Sequence, residues 1–342
     1  MPFSEVQGQD RAIGALRAAL RRGTLHHAYL LAGPEGVGKG TAARLLAQAA
    51  NCEGGTPGDA CGTCTPCRKI AREVHPDVLV VRTEREMARA GAWEPKGGRT
   101  PSRDIVVDQV RELVDRRLSL RRHEGRRRLV VLDPADAMNV QAQNALLKTL
   151  EEPPPDTTIV LVSAVADALL PTVRSRCLRV AFAPLPAAFV EERLVAAGRP
   201  PDQARLAAAL APGSLGRAQA MDAEALAERR GAVEEAAGLP ADDALAWIEY
   251  ARARGADREA ARATCELLLV WLRDLVALGA AGAAAPLALP DLAKATAAAS
   301  ARVGPLEALR RRDGVKRALA AIRQNANPAL ALERMLIGWF HG

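Results

Sequence analysis

Apolar positions along the 342-residue chain fall into two textures. In the first half, short unbroken apolar runs alternate with segments of helical spacing. Ala28-Tyr29-Leu30-Leu31, Val78 to Val81, Leu129 to Leu132 and Ile159 to Val162 are such runs. A strand covered on both faces has no polar side to alternate with, so these runs predict buried parallel strands. Between them, Ile13, Leu16 and Leu20 recur at a helical period that stops at Gly23, a residue suited to closing a helix. Lys39 to Ala50, Val107 to Leu118 and Val140 to Leu150 predict further helices, and Asp167 to Val173 a short one before the apolar run Leu178 to Phe182. Strands alternating with helices make a doubly wound α/β layer with a parallel sheet. Residues 83–104, rich in Arg, Gly and Pro and without a period, predict an exposed loop.

Beyond Phe182 the β-branched runs cease and Ala/Leu/Arg/Glu helices follow one another. They are broken at Gly198-Arg199-Pro200-Pro201, at Pro212-Gly213 and at Gly238-Leu239-Pro240. The pattern predicts an α/β domain over 1–182, a small helical domain over 183–238 and a helical domain over 239–342. The last contains an apolar helix around Leu267 to Leu278 and a final helix from Pro328 to Phe340, proline being a good first helical residue.

Composition narrows the class. Hydrophobic residues make up 49% and charged residues 25%, near the globular average, which argues against a disordered chain. The longest apolar stretch, Leu267 to Ala285, is interrupted by Arg273 and Asp274 and falls short of the roughly 18 uncharged residues a membrane span needs. The start, MPFSEVQGQD, lacks the basic and apolar regions of a secretory signal, so a cytoplasmic location and no membrane partner are expected. The net charge of +7 suits an acidic partner such as nucleic acid without demanding one. Arg121, Arg122, Arg126, Arg127 and Arg128 form a basic cluster that reads equally well as a solvated turn before a strand.

Four of the six cysteines, Cys52, Cys61, Cys64 and Cys67, are bunched with Gly54, Gly55, Gly58 and Gly62 among them. In a reducing compartment such bunching points to metal before disulfide, and the spacing can close a tetrahedral Zn²⁺ site over 52–67. Four protein thiolates would leave no open coordination position, so the site would be a structural staple; an iron–sulfur cluster or free thiols are the alternatives. His75, followed by Pro76, reads as a loop residue.

Gly33-Pro34-Glu35-Gly36-Val37-Gly38-Lys39 matches the first seven positions of the Walker A phosphate loop, in which backbone amides cradle phosphate and the lysine adds a charge. The eighth position should supply a hydroxyl to Mg²⁺ but is Gly40; Thr41 lies about 100° further round the helix. ATP or ADP is therefore a candidate ligand of Gly33, Gly36, Gly38, Lys39, Gly40 and Thr41, against the plainer reading of a glycine turn joining strand to helix. Arg128 to Asp133 reads as a Walker B strand whose Asp133 would bind metal, or as a strand end with Asp133 capping a turn. The acid that should follow is Pro134, and Asp136 comes two positions late.

The stretches VQGQDRAIGALRAAL, HAYLLAGPEGVGKGT, LDPADAMNVQAQNALLKTLEEPP (Leu132 to Pro154), the trio Ser175-Arg176-Cys177 and NANPALALERML (Asn325 to Leu336) together resemble the delta-prime family of bacterial DNA polymerase III clamp-loader subunits. These are AAA+ proteins related to the small subunits of replication factor C. The resemblance implies a P-loop AAA+ domain with an inserted zinc module, a helical lid and a C-terminal collar. It further implies a five-subunit loader with tau/gamma and delta subunits that places a sliding clamp on primed DNA. Carried over by position, Arg176 would be an arginine finger presented to ATP on a neighbouring tau/gamma subunit, although composition alone would make it a surface arginine. In the lid, Gly216 stands where active relatives have a nucleotide-sensing arginine, and Arg217 is adjacent. Losses at Gly40 and Pro134 lead us to expect no competent ATPase in the isolated chain. The rival expectation is a self-hydrolysing ATPase subunit of the tau/gamma type in which Lys39, Asp133, Thr41 and Asp136 improvise a metal site. A zinc-containing DNA-binding regulator is a third class, disfavoured by the lack of a basic recognition helix or interleaved aromatics.

Overall fold

The computed structural model describes residues 2–119, 121–282, 285, 287–324 and 326–340; Asn325 of the last motif and Gly342 at the end of the expected third domain lie outside them. The chain divides into two compact units, Met1–Leu185 and Pro186–Gly342.

In the first unit five strands form one parallel sheet: β1 (Ala28–Ala32), β2 (Val78–Val81), β3 (Arg128–Leu132), β4 (Thr157–Ser163) and β5 (Leu178–Ala181), in the order β2-β3-β4-β1-β5. All four pairings are parallel, with Leu30 opposite Leu161 and Arg179, and Val130 opposite Leu79 and Ile159. Every residue of β1, β3 and β4 is buried, as the unbroken apolar runs require of strands covered on both faces. One cover contains α1 (Asp10–Arg22) and α2 (Lys39–Asn51), packing Leu16, Leu45 and Leu46 against Tyr29, Leu31 and Val160. The other contains α7 (Val140–Glu151), packing Leu146 and Leu150 against Leu30, Leu132 and Leu161.

Local signals set the element ends. Gly23 adopts φ 65° and donates back to Ala19 and Leu20, closing α1. Asn139 accepts from the Ala142 amide and opens α7. Two expectations need correction. Residues 83–104 are not a featureless loop: α4 (Glu84–Arg89) begins with a capping box between Thr83 and Glu86, a Thr-x-x-Glu signal present in the sequence. The following segment is then anchored on buried Glu84, which accepts two bonds from Arg99 at 2.6 Å, one from the Ser102 amide and one from the Trp93 indole. The helix expected over Val107 to Leu118 is α5 (Val107–Gln109) and α6 (Arg116–Ser119) joined by a π-helical stretch, Val110–Asp115.

The second unit contains only helices among its described elements: α9 (Ala187–Ala196), α10 (Pro201–Leu210), α11 (Leu215–Gln219), α12 (Ala223–Gly238), α13 (Ala244–Arg254), α14 (Arg258–Ala281), α15 (Ala293–Arg302), α16 (Pro305–Arg323) and α17 (Pro328–Phe340), with a short 3₁₀ turn at Pro290–Leu292. Leu267, Leu268, Trp271, Leu272 and Leu275 of α14 are buried with Val315 and Ile322 of α16 and Leu332, Leu336 and Trp339 of α17. The apolar stretch expected around Leu267 is thus buried inside this helical packing. Among the described residues no helix is long and apolar enough to cross a membrane.

Candidate functional site

Three groups of residues in the first unit carry chemistry, and the parallel sheet sets where each lies. The glycine-rich turn follows β1 and opens into α2 at Lys39, so it sits at the C-terminal end of the strands, where ligands of open α/β sheets bind. Gly33 passes so close to the next strand's exit that a Cβ there would lie 2.1 Å from the Phe182 carbonyl oxygen. Gly36 and Gly38 hold φ of 72° and 97°. These glycines satisfy backbone geometry first, and that geometry is what turns amides toward a phosphate.

Lys39, almost fully buried, donates its ammonium to the carbonyls of Gly33, at 2.7 Å, and Pro34. Burial lowers its pKa, while Asp133, Asp136 and Glu35 pull the other way. The Walker B comparison becomes concrete at Gly40: a Cβ there would lie 2.5 Å from Asp133 Oδ2. The carboxylate therefore stands where a serine at this position would put its side chain. Burial also raises the Asp133 pKa, against the opposing charges of Lys39 and Arg82. Asp136 is committed elsewhere, accepting the Ala164 amide at 2.9 Å and tying the turn after β3 to the end of β4.

Lys39, Gly40 and Asp133 are thus brought together. Arg217 lies on α11 in the second unit and forms an ion pair with Glu266 of α14. The sequence reading missed Ser163, the last residue of β4, whose buried hydroxyl makes no hydrogen bond among the described residues. Its only signal was a serine ending an apolar strand.

The four cysteines converge. Their sulfurs all lie within 4.8 Å of one another, with Cys52 and Cys64 at 3.9 Å. Cys52 ends α2, Cys64 caps α3 (Thr65–Ala71) and Cys67 lies inside it. Backbone amides of Cys61, Thr63 and Cys64 point at sulfur at 3.2 to 3.4 Å, which spreads thiolate charge. The amides of Cys64 and Thr63 lower the Cys61 thiol to about 5, whereas burial pushes Cys67 up. The donor set fits a thiophilic metal: four sulfurs gathered within 4.8 Å of one another, near the roughly 3.8 Å spacing that Zn–S bonds of about 2.3 Å make in a tetrahedral site. Asp59, buried in the same segment, ties it to the chain start by accepting the Phe3 amide at 3.2 Å and pairing with Arg17 of α1.

Arg176 follows α8 (Pro171–Arg174) and precedes β5, which puts it at the N-terminal end of the strands. Its side chain is 35% exposed and borders an open depression of about 490 Å³ with His26, His27, Leu150, Glu151 and Leu178. Burial and neighbouring His26 hold His27 below the usual imidazole value, against a hydrogen bond to the Arg176 backbone. The basic cluster of the sequence is a pinned turn: Asp77 accepts the amides of His123, Glu124 and Gly125 at 2.6 to 2.9 Å, and Arg122 pairs with Asp156.

A parallel sheet of this order, with a phosphate loop after β1 and an acid after β3, defines a P-loop module of the AAA+ kind. The profile of the family described as DNA polymerase III, delta subunit, matches residues 8–186, more than half of the chain, and the chain belongs to that family. It is 39% identical over 212 residues to DNA polymerase III subunit delta′ of Pseudomonas aeruginosa, covering 61% of this chain and 60% of that protein. It is 35% identical over 184 residues to subunit gamma/tau of Mycobacterium tuberculosis, covering 54% of this chain and 29% of that one. The matches thus span less than two thirds of the length of these relatives. Among solved structures, the ORC1 protein of Aeropyrum pernix in complex with DNA is similar at 18% identity and a TM-score of 0.45 over 96% of this chain and 92% of its own, too slight a likeness to bear on function.

Proposed function

We propose that this chain is a delta-prime-type subunit of a DNA polymerase III clamp loader: it braces the ring and supplies Arg176 to ATP bound by a neighbouring tau/gamma subunit. The loader, which also contains a delta subunit, would place the sliding clamp on primed DNA. One observation carries the proposal. Arg176 is partly exposed at one end of a parallel sheet while Lys39 lies at the other, and the four- and five-residue strands between them span roughly 15 Å at about 3.3 Å per residue. One arginine side chain does not bridge that separation, so a phosphate met by Arg176 would be held by another molecule and not by this chain's own loop.

The phosphate loop of this chain serves the fold. Gly40 brings no hydroxyl, Pro134 no base, and Asp133 fills the space beside Gly40. ATP or ADP at Gly33, Gly36, Gly38, Lys39 and Thr41 would be held without turnover. In this reading residues 183–238 are the lid, with Arg217 beside the nucleotide-sensing position, and 239–342 are the collar. The metal is zinc on Cys52, Cys61, Cys64 and Cys67; when bound it cross-links the end of α2 to α3, with no step of hydrolysis passing through it.

Reconstitution with the other loader subunits tests the proposal. Arg176→Ala should abolish most DNA-stimulated ATP hydrolysis by the assembly, while the purified chain alone should not hydrolyse ATP. Turnover by the isolated chain that Lys39→Ala removes would instead establish the self-hydrolysing reading.

A further inference from the structure

The Arg176 guanidinium is gripped by its own unit on two of its nitrogens. Nη1 donates to the Thr172 carbonyl at 2.9 Å, and Nη2 pairs with Glu151 Oε1 at 2.6 Å. Thr172 lies in α8, one turn earlier in the chain, and Glu151 is the last residue of α7. The stretch ending in Leu-Glu-Glu-Pro-Pro and the Ser-Arg-Cys trio, far apart in the sequence, are therefore joined by one ion pair.

A guanidinium presents five N–H donors in a rigid plane. One contact at each terminal nitrogen fixes both the place of the group and the tilt of its plane, and three donors remain for an incoming anion. A free arginine would have to be ordered at the moment of reaction. Held at two points, it loses less rotamer freedom when it meets a phosphate. The Glu151 and Arg176 side chains are 50% and 35% exposed, so the pair adds little to folding stability. Its effect is on orientation.

We propose that Glu151 is a positioning residue for Arg176: its carboxylate, with the Thr172 carbonyl, sets the guanidinium plane so that the remaining donors face a triphosphate held by an adjoining subunit. The inference rests on the reading of Arg176 as a donor to another molecule. Glu151 itself touches no substrate.

The test uses the full chain assembled with its cognate loader subunits, comparing Glu151→Ala, Glu151→Gln and Arg176→Ala by ATP kcat and KM, thermal midpoint and assembly on size exclusion. Displacing a catalytic group by about 1 Å can cost up to 10²-fold in rate. Glu151→Ala should lower kcat roughly 10-fold with KM within about 2-fold, because the lost interaction acts in the transition state rather than in ATP binding. Glu151→Gln keeps an acceptor oxygen for Nη2 and should recover most of the rate. Both variants should assemble and melt as the parent does.

Full activity of Glu151→Ala alongside a collapsed Arg176→Ala overturns the inference and leaves the proposed function standing. An active Arg176→Ala sinks the proposed function itself. Equal losses in the Ala and Gln variants, or loss of assembly in both, would mean that charge or interface contact matters rather than orientation, and would also overturn it.

Discussion

The two ends of the parallel sheet carry opposite kinds of polar group. At the C-terminal end charges close on their own surroundings: Lys39 bonds the carbonyls of its own loop, Asp133 stands against Gly40, and Asp136 holds the Ala164 amide. At the N-terminal end Arg176 is held but partly exposed, with donors to spare beside an open depression. The first end resembles a catalytic pocket in outline, yet its groups are spent internally. The second has little outline and leaves a held cation partly exposed. Motif completeness and chemical availability are therefore separate properties.

The largest expected effect would break this contrast outright. In the assembled loader Arg176→Ala should lower turnover at the ATP site it reaches by about 10³- to 10⁵-fold, as removal of an arginine supplied in trans does, whereas Lys39→Ala in this chain should leave turnover within about 2-fold. Equal losses would mean that both ends are catalytic.

Next comes the cysteine cluster, which the contrast treats as scaffold. Cys67→Ser, or removal of metal with a chelator, should destabilise the first unit by several kcal/mol, on the order of 3–5, read as a lowered thermal midpoint. The sequence of events matters: unfolding should begin in the segment around 52–71, which amide exchange would reveal.

Gly33→Ala is a smaller test of whether the loop glycines serve packing. Its Cβ would fall 2.1 Å from the Phe182 carbonyl oxygen, so a cost of about 3 kcal/mol in denaturant unfolding is expected even without any nucleotide.

The smallest effect concerns Glu84, also near the C-terminal end of the strands. Burial pushes its pKa up, but Arg99, the Ser102 amide and the Trp93 indole outweigh that and hold it below the ordinary 4.5. A carboxylate with a depressed folded-state pKa contributes stability above its unfolded value and loses it as pH falls. Glu84→Gln should therefore cost about 2 kcal/mol at pH 7, and the gap to the parent should shrink as pH drops below about 4.5.

What the sequence revealed and what it hid follow from the range of the interactions. The strands were legible because Leu129 to Leu132 and Ile159 to Val162 are apolar on both faces, a local property. The cysteines were legible because three of them are spaced tightly enough to meet in almost any fold. Helix α4 was also legible through Thr83 and Glu86, but the Arg/Gly/Pro texture around it masked the capping box. The π-helical stretch at Val110–Asp115 leaves no signature in spacing. Nor could spacing disclose that Asp133 abuts Gly40, that Glu151 grips Arg176, or that Glu266 pairs with Arg217. These contacts bridge 93, 25 and 49 positions of chain, and only the packed fold specifies them.

Because all five strands run the same way, the first unit is a polar body with unlike poles. In a head-to-tail row of such bodies the cation at one pole of each would meet the phosphate loop at the opposite pole of the next. Contacts of that heterologous kind form a ring when the rotation between copies closes and a spiral when it does not. A member whose phosphate loop is idle while its cation stays on offer would be the natural terminus of such an arc, able to serve the molecule on one side and owing nothing to the other.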